Sequence, residues 1–414
     1  TAQQKENRLH YHKLDVVREF CRINDINRYI YNSSKAKIGI VTTGKSFLDT
    51  IQALEKLDIN KRIADELGIR LLKIGMPWPL EPAIINEFSK GLYLIIVIEE
   101  KRSLIESQIK EILFNKRSSL NIVGKQDIDG NILFPSSWSL NPGMIASKLG
   151  NLIYNKSADK NIKLKVDEID NLIQEIRSIN APKRTPYFCS GCPHNTSTQI
   201  PLESRAVTGI SCAFLVQGME RNNTGFTQMG CEGANWVGES IFSNRDHIFQ
   251  NIGDGTYIHS GILSIRHAVA AKTKITFKIL YNDAVALTGG QPLDGLPTVS
   301  QISQQLFAEG VTKIAVISDE PEKYKNKKLF SENSTIHHRK DLIKVQMELS
   351  KIDSTTAIIY DQTCAAEKRR KRKRSLLAEP ERKIFINDLV CEGCGDCGIK
   401  SNCVSLLPLE TEFG

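Results

Sequence analysis

The sequence predicts an α/β protein that contains two doubly wound parallel-sheet domains and a small cysteine-rich segment near its last residue. Short apolar runs alternate with amphipathic segments of helical spacing across residues 36–117, and again across residues 185–360. Alternation of this kind is typical of parallel sheets with helical crossovers. Four of the ten cysteines fall between Cys391 and Cys403, and this tight spacing indicates ligation of a metal or a cluster rather than disulfides.

The composition is that of a soluble globular protein, with 41% hydrophobic and 25% charged residues among 414. The longest apolar run, at residues 92–98, is too short to cross a membrane, and the first residues lack the apolar core of a secretory signal. We therefore expect a cytoplasmic protein without membrane contacts. Seven positive charges of a net charge of +8 lie at residues 368–374, so nucleic acid is not an expected partner. We interpret this basic run as a connector that docks an acidic partner.

The pattern divides the chain into six predicted segments. In chain order they are a helical approach segment, a first α/β domain, a connecting region, a second α/β domain, a basic connector and a cysteine-cluster segment, at residues 1–35, 36–117, 118–184, 185–360, 361–386 and 387–414. Strands of the first domain are predicted at 37–44, 69–74 and 92–98. Strands of the second domain are predicted at 247–253, 274–281, 314–318 and 356–360.

The turn Gly253-Asp254-Gly255-Thr256 and the later Asn282 form the strongest single motif. Asp254 and Asn282 are 28 residues apart, and the residues between them indicate one strand–helix–strand crossover. Both side chains would then lie at the carboxyl ends of adjacent parallel strands, where ligands bind. Carboxylate and amide oxygens suit Mg²⁺ together with phosphate oxygens. The motif predicts a magnesium and diphosphate site, with an ordinary glycine-rich turn as the alternative.

The second motif is the spacing Cys391-x2-Cys394-x2-Cys397-x5-Cys403. Three thiolates at the spacing of the first three cysteines can wrap one [4Fe–4S] cluster, as in bacterial ferredoxins. The last gap is longer than in those proteins, so Cys403 is either the fourth ligand or a ligand of a neighbouring cluster. A structural zinc site is the alternative.

The third motif is the pair Cys189 and Cys192, which precedes His194. Three interpretations of the pair are open, namely a redox dithiol, half of a metal site, or a turn beside a cofactor. Cys212 and Cys231 are candidates for further ligands. Isolated cysteines are more often small buried apolar residues, and that is the alternative for both.

Six sequence blocks resemble the indolepyruvate ferredoxin oxidoreductase family, in particular its long fused bacterial form. The blocks are FCSGCPHNTST (188–198), GANWVGES (233–240), FQNIGDGTYIHSG (249–261), ILYNDAVALTGGQP (279–292), IYDQTCAAEKRRKRKR (359–374) and NDLVCEGCGDCGIKSNCVSLLPLETEFG (387–414). The resemblance covers essentially all of residues 36–414. It implies a transketolase C-terminal-like domain at 36–117, a thiamine-diphosphate-binding domain at 185–360 and a ferredoxin-like cluster segment at 387–414.

The resemblance implies thiamine diphosphate, Mg²⁺ and one or more [4Fe–4S] clusters as cofactors. The implied magnesium ligands are Asp254, Asn282 and the backbone carbonyl of Ala284. Further residues of the cofactor pocket would be Gly253, Gly255, Thr256, Thr288, Gly289, Gly290, Gln291, Cys192 and His194. His194 and His259 are candidates for contact with the diphosphate or for proton transfer, with stabilisation of a turn as the alternative for each.

The implied reaction is oxidative decarboxylation of an aryl 2-oxoacid of the indolepyruvate type, with coenzyme A as acyl acceptor and ferredoxin as electron acceptor. The family also has a pyrimidine-binding domain, which carries the activating glutamate, and a γ domain. Neither is expected within residues 1–414. We therefore expect an internal fragment of a homo-oligomeric enzyme that is inactive by itself.

Related 2-oxoacid:ferredoxin enzymes hold a proximal cluster with cysteines that resemble Cys189, Cys192 and Cys212, together with one later cysteine. The later cysteine here is Cys364, which stands beside the basic run. On this ground we expect no proximal cluster.

Two other functions compete with the oxidoreductase. A non-redox thiamine diphosphate decarboxylase or carboligase would use Asp254 and Asn282 but would leave the cysteine motif without a role. A zinc or iron–sulfur electron-transfer module would use the cysteines and leave Asp254 and Asn282 without one. The oxidoreductase uses both features.

Overall fold

The computed structural model describes residues 1–116, 119–179, 185–291, 295, 297–401 and 403–410. The chain divides between residues 182 and 183 into two units, and each unit is built around its own sheet. These two largely parallel sheets with helices confirm the predicted α/β class. Within the described ranges, no helix has the length and apolar character needed to cross a membrane.

The first unit contains a five-stranded sheet. Its strands are β1 (Arg28–Asn32), β2 (Ile38–Thr43), β3 (Ile69–Ile74), β4 (Leu94–Ile98) and β5 (Asn121–Val123). The order across the sheet is β1-β3-β2-β4-β5. All pairs are parallel except β1 with β3. β2 and β4 are almost wholly buried runs of isoleucine, valine and leucine, as expected for strands covered on both faces.

The described residues of the first unit form eight α-helices. They are α1 (Ala2–Arg8), α2 (Leu14–Ile23), α3 (Gly44–Lys56), α4 (Lys61–Glu66), α5 (Pro82–Phe88), α6 (Ile105–Leu113), α7 (Pro142–Ser157) and α8 (Lys160–Ser178), with a π-helical turn (Leu9–Lys13) between the first two. α3 and α7 pack on one face of the sheet, and α5 and α6 pack on the other. The core of this unit therefore has two layers.

The sheet of the first unit extends past the predicted domain boundaries in both directions. β1 lies in the segment predicted to be a helical approach, which is wrong at residues 28–32 because these residues pair with β3 as an edge strand with a half-buried centre. β5 lies in the predicted connecting region. α8 also lies in this region, and it begins at Lys160 because the Asp159 side chain accepts amide hydrogen bonds at its start. Residues 180–184, at the end of the predicted connecting region, lie outside the described residues.

The second unit contains a seven-stranded sheet in which every pair is parallel. Its strands are β6 (Ala206–Thr208), β7 (Asn223–Phe226), β8 (Ile248–Gly253), β9 (Ile275–Tyr281), β10 (Ile314–Ser318), β11 (Ser334–His338) and β12 (Thr355–Asp361). The order across the sheet is β11-β10-β12-β9-β8-β6-β7. The four predicted strands correspond to β8, β9, β10 and β12, which are almost wholly buried.

The α-helices of the second unit cover this sheet and continue beyond it. They are α9 (His194–Ser197), α10 (Ala234–Glu239), α11 (Asp254–Thr256), α12 (Ile262–Ala270), α13 (Val299–Ala308), α14 (Leu342–Leu349), α15 (Ala365–Lys373) and α16 (Asp396–Ser401), and a π-helical turn (Tyr257–Gly261) joins α11 to α12. α10, α12 and α13 pack on one face, and α14 packs on the other. The crossover between β8 and β9 is thus the predicted one.

Each of the last two predicted segments contains a short helix. The basic connector begins with the end of β12 and contains α15, because the run of arginine and lysine has high helix propensity. Among the described residues of the cysteine-cluster segment, only α16 is regular, and most of the side chains are exposed. Residues 402 and 411–414 of this segment lie outside the described residues, and a ferredoxin-like fold there stays a prediction.

Candidate functional site

Asp254 and Asn282 lie side by side at the carboxyl ends of adjacent strands. β8 and β9 pair in parallel with Gly253 opposite Leu280, so the residue after each strand reaches the same sheet edge. Oδ2 of Asp254 accepts a hydrogen bond of 2.9 Å from the amide of Asn282, and Oδ1 accepts one of 2.8 Å from Gly255. Burial raises the pKa of the Asp254 carboxyl to about 6, although these backbone amides favour its ionised form.

The oxygens at this edge fit a divalent cation. Asn282 is 7% exposed, and its side-chain Oδ1 has no hydrogen-bond partner. A buried amide oxygen without a partner is costly, and a hard cation would satisfy it. The carbonyl of Ala284 accepts one hydrogen bond of 2.8 Å, from the amide of Ala286, which leaves a second lone pair for a ligand. Asp254, Asn282 and Ala284 therefore fit the magnesium site that the sequence predicts.

The other predicted pocket residues surround this edge in different environments. Thr256 is buried, and its hydroxyl donates to the carbonyl of Ile210 at 3.2 Å. Thr288 and Gln291 are exposed and bind each other, since the Thr288 hydroxyl donates to Gln291 Oε1 and Gln291 Nε2 donates to the Thr288 carbonyl, both at 2.8 Å. These contacts give the loop after β9 a defined shape close to the candidate cation site.

Four cysteines from three separate segments lie next to the candidate magnesium site. Burial, followed by the neighbouring thiols of Cys189, Cys364 and Cys212, raises the pKa of Cys192 to about 12. Burial, Cys364 and Cys189 likewise raise the pKa of Cys212 to about 11. Thiols perturb each other in this way only when they are close together. Four cysteine thiolates are the ligand set of a [4Fe–4S] cluster.

This grouping is opposite to the sequence-based expectation for Cys364. Its position beside the basic run suggested that it stands apart, but β12 carries it to the same sheet edge as Asn282. The amide of Cys364 donates to the carbonyl of Asn282 at 3.0 Å, and the Asp254 carboxylate is among the charges that raise the pKa of Cys212. The cysteine group and the candidate magnesium site are therefore contiguous.

The two candidate histidines have unlike surroundings. His194 is buried, its Nδ1 lies 3.2 Å from the Ser197 hydroxyl, and its backbone amide binds the Cys192 sulfur. Burial, together with the charge of Lys278, lowers the pKa of His194 to about 4. His259 is exposed, and its Nδ1 lies 2.7 Å from the hydroxyl of the adjacent Ser260. His194 therefore supports the cysteine turn as a neutral ring.

Lys278 is a buried residue that the sequence reasoning missed. Its side chain is completely buried on β9, its ammonium donates to the carbonyl of Gln199 at 3.2 Å, and burial lowers its pKa to about 7. The ammonium lies 5.9 Å from the ring centroid of Phe249. The signal in the sequence was a single lysine inside an otherwise apolar strand.

The terminal cysteines lie in the exposed last segment. Cys391, Cys394 and Cys397 are exposed, whereas Cys403 is partly buried. Hydrogen bonds from the amides of Ser405 and Gly191 lower the pKa of the Cys403 thiol, which places it against the turn between Cys189 and Cys192. Among the described residues, no three histidine, cysteine or acidic side chains are gathered closely enough to hold one metal ion. A cluster separates its thiolates more widely than a single ion does.

Two protein-family models match parts of the chain. Residues 213–316, which include Asp254 and Asn282, match the thiamine pyrophosphate enzyme C-terminal TPP binding domain. Residues 28–176 match the indolepyruvate oxidoreductase domain. The chain thus contains a domain of the thiamine diphosphate enzyme class. Together with the curated relatives, these matches confirm the resemblance to the indolepyruvate ferredoxin oxidoreductase family found in the sequence.

Curated relatives are similar along most of the chain. The indolepyruvate oxidoreductase subunit IorA of Methanothermobacter marburgensis is 22% identical, over 93% of this chain and 62% of that protein. The subunit of the same name from Thermococcus kodakarensis is 23% identical, over 93% of this chain and 58% of that protein. The chain therefore spans about 60% of the length of these relatives.

Two solved structures are similar to parts of the chain. One is the 2-oxoglutarate:ferredoxin oxidoreductase from Magnetococcus marinus, with 16% identity and a TM-score of 0.34, over 45% of this chain and 66% of that chain. The other is benzoylformate decarboxylase from Polynucleobacter necessarius, with 14% identity and a TM-score of 0.33, over 84% of this chain and 64% of that chain.

Proposed function

We propose that this chain is part of a thiamine-diphosphate-dependent oxidoreductase that decarboxylates aryl 2-oxoacids of the indolepyruvate type. Coenzyme A takes the acyl group to give an arylacetyl-CoA, and ferredoxin takes the electrons. The observation that carries this proposal is the contact between the magnesium site and the four-cysteine group. A decarboxylase or carboligase needs only the first, and an electron-transfer module needs only the second.

In this proposal Asp254, Asn282 and Ala284 hold Mg²⁺ and, through it, the diphosphate. Thiamine diphosphate, when bound, supplies the carbon nucleophile and the electron sink for decarboxylation. The sheet edge fixes its ligands before binding, because Asp254 is bonded to two backbone amides and Asn282 to Cys364. Preformed ligands need little reorganisation when the cofactor arrives.

Cys189, Cys192, Cys212 and Cys364 would hold a proximal [4Fe–4S] cluster. Burial raises the thiol pKa of Cys192 to about 12 and that of Cys212 to about 11, so cluster binding would release protons from these two thiols. Cys391, Cys394, Cys397 and Cys403 would hold a second cluster. Bound there, the second cluster would supply electron transfer towards ferredoxin, and the hydrogen bond from the Gly191 amide to Cys403 ties its segment to the cysteine turn.

The substrate and the partners follow from the family. The relatives are named as indolepyruvate oxidoreductase subunits, and this supports an aryl 2-oxoacid. Because the chain spans about 60% of those relatives, the pyrimidine-binding part with its activating glutamate and the γ part are proposed partners within a homo-oligomer. Ferredoxin, as electron acceptor, and coenzyme A, as acyl acceptor, are the other proposed partners.

An anaerobic assay tests the proposal. The chain, with the polypeptides that copurify with it, is mixed with Mg²⁺, thiamine diphosphate, coenzyme A, indolepyruvate and a low-potential electron-accepting dye. The proposal predicts dye reduction that requires both coenzyme A and thiamine diphosphate. Release of carbon dioxide without dye reduction would instead favour a non-redox decarboxylase.

A further inference from the structure

α15 is a basic helix that touches both candidate sites. It follows Cys364 directly and carries most of the basic run at residues 368–374. Its cations are not all directed to solvent, because several of them bind acceptors on segments distant in the sequence. Two groups of contacts separate clearly, one on the loop after Asn282 and one on the turn between Cys189 and Cys192.

The first group of contacts holds the cofactor loop. Nη1 of Arg370 donates to the carbonyl of Gly289 at 2.5 Å and also pairs with Glu367, while Lys371 pairs with Asp283 at 3.0 Å. Gly290 has a φ of +82°, and a Cβ there would overlap the Glu367 and Arg370 side chains. The loop and the helix therefore approach so closely that only glycine fits between them.

The second group of contacts holds the cysteine turn. Nη1 of Arg369 donates to the carbonyl of Ser190 at 3.0 Å. Ser190 lies inside the turn that the amide of Cys192 closes on the carbonyl of Cys189, also at 3.0 Å. Arg369 and Arg370 are adjacent on one helix, so the turn and the loop are held by neighbouring side chains of a single rigid element.

We propose that α15 couples the two sites, so that occupation of the magnesium and diphosphate site stabilises the cysteine turn. When the loop becomes ordered, its contact with Arg370 stabilises the helix. The helix in turn stabilises the turn through the contact between Arg369 and Ser190. The inference rests on the proposed function, since it takes Mg²⁺ and thiamine diphosphate as the occupants. Both arginines are positioning residues. Coupling of this kind is reciprocal, so an intact turn also strengthens cofactor binding.

Hydrogen exchange of the anaerobically purified chain, with and without Mg²⁺ and thiamine diphosphate, tests the coupling. In the unaltered chain, we expect the cofactors to slow exchange at residues 282–291 and at residues 189–192. Arg369→Gln should keep the first effect and lose the second. Arg370→Gln should weaken cofactor binding about threefold to tenfold, as expected for one lost charge-assisted hydrogen bond, and should lose the effect at the turn.

Lys373→Gln is the matched control, because it removes one charge from the exposed last turn of the same helix. It should behave as the unaltered chain does. Slow exchange of the Lys368 amide, which donates to the carbonyl of Cys364, shows that α15 is folded in each variant. Arg370→Lys should recover part of the lost affinity.

The outcomes separate the two proposals. If the cofactors slow exchange nowhere in the unaltered chain, the proposed function fails. If they slow exchange at 282–291 but not at 189–192, the function stands and the coupling is wrong. Protection of the turn that persists in Arg369→Gln would also overturn the coupling.

Discussion

The backbone amide of Cys364 donates a hydrogen bond of 3.0 Å to the carbonyl oxygen of Asn282. Asn282 carries the unpartnered oxygen of the candidate magnesium site, and Cys364 belongs to the four-cysteine group. The two sites are therefore joined by a backbone contact between the ends of β9 and β12, which are neighbours in the sheet. A displacement of either strand end would change both sites.

Asp254→Asn should abolish measurable binding of thiamine diphosphate with Mg²⁺, by about a hundredfold or more, because a cation site loses its only charged ligand. Asn keeps the shape of the side chain, so the fold should persist. Isothermal titration calorimetry measures the affinity. Asp246→Asn is the control, since Asp246 is an exposed partner of Lys274, and its affinity should be unchanged. Equal loss in both variants would contradict the assignment.

Cys364→Ser should lower the iron content by about four atoms per chain and reduce the visible absorbance, because a [4Fe–4S] cluster needs its four thiolates. Iron analysis after anaerobic purification measures the loss. Cys231→Ser is the matched control in the same unit; the pKa shifts that define the four-cysteine group do not involve Cys231. An unchanged iron content in Cys364→Ser would contradict the proposal of a proximal cluster.

Gly290→Ala should weaken cofactor binding, because its Cβ would overlap Glu367 and Arg370. Gly130→Ala provides the comparison, since Gly130 also has a positive φ, +85°, but has open space around its Cβ position. Both variants bear the conformational cost of alanine at positive φ, about 1–2 kcal/mol. Only Gly290→Ala should change the dissociation constant of thiamine diphosphate. Equal affinities would show that the close approach has no role in binding.

Lys278 should make stability depend on pH. Burial lowers the pKa of Lys278 to about 7, whereas an unfolded lysine has a pKa of about 10.4. Between these values the unfolded chain binds more protons, so the free energy of unfolding rises with pH. We expect a rise of about 2 kcal/mol from pH 7 to pH 9 from this residue.

Urea unfolding at the two pH values measures this effect. Lys278→Met should lose the rise and should be more stable than the unaltered chain at pH 7, since Gln346 still donates to the carbonyl of Gln199. Lys344→Met is the control at an exposed position and should keep the rise. The same pH dependence in Lys278→Met would contradict burial of the lysine.

Much of the second unit was predictable from the sequence because its central strands are continuous apolar runs that end in polar residues. Asp254 and Asn282 were found in this way, since parallel strands bring their carboxyl ends together. β6 and β7 escaped prediction because they are short. β11 escaped because its sequence is mostly polar, and β1 escaped because its neighbours are helical. Local patterns of this length do not distinguish an edge strand from a loop.

The cysteine group was not predictable for a different reason. Cys364 is 152 residues from Cys212, and only the strand order of the sheet brings them together. The contacts of the basic run were not predictable either. Its composition predicts side chains in solvent, whereas the position of α15 places Arg369 against Ser190 and Arg370 against Gly289. In both cases the contacts depend on how distant segments pack in the folded chain, which local sequence patterns do not reveal.

Iron, acid-labile sulfide and zinc, measured on the anaerobically purified chain together with its visible spectrum, test the central claim most directly. We predict about eight iron and eight sulfide atoms per chain, for two [4Fe–4S] clusters. We also predict that Cys364→Ser loses about four iron and four sulfide atoms per chain. Stoichiometric zinc without iron, persisting after cluster reconstitution, would contradict the redox function and leave a non-redox thiamine diphosphate enzyme.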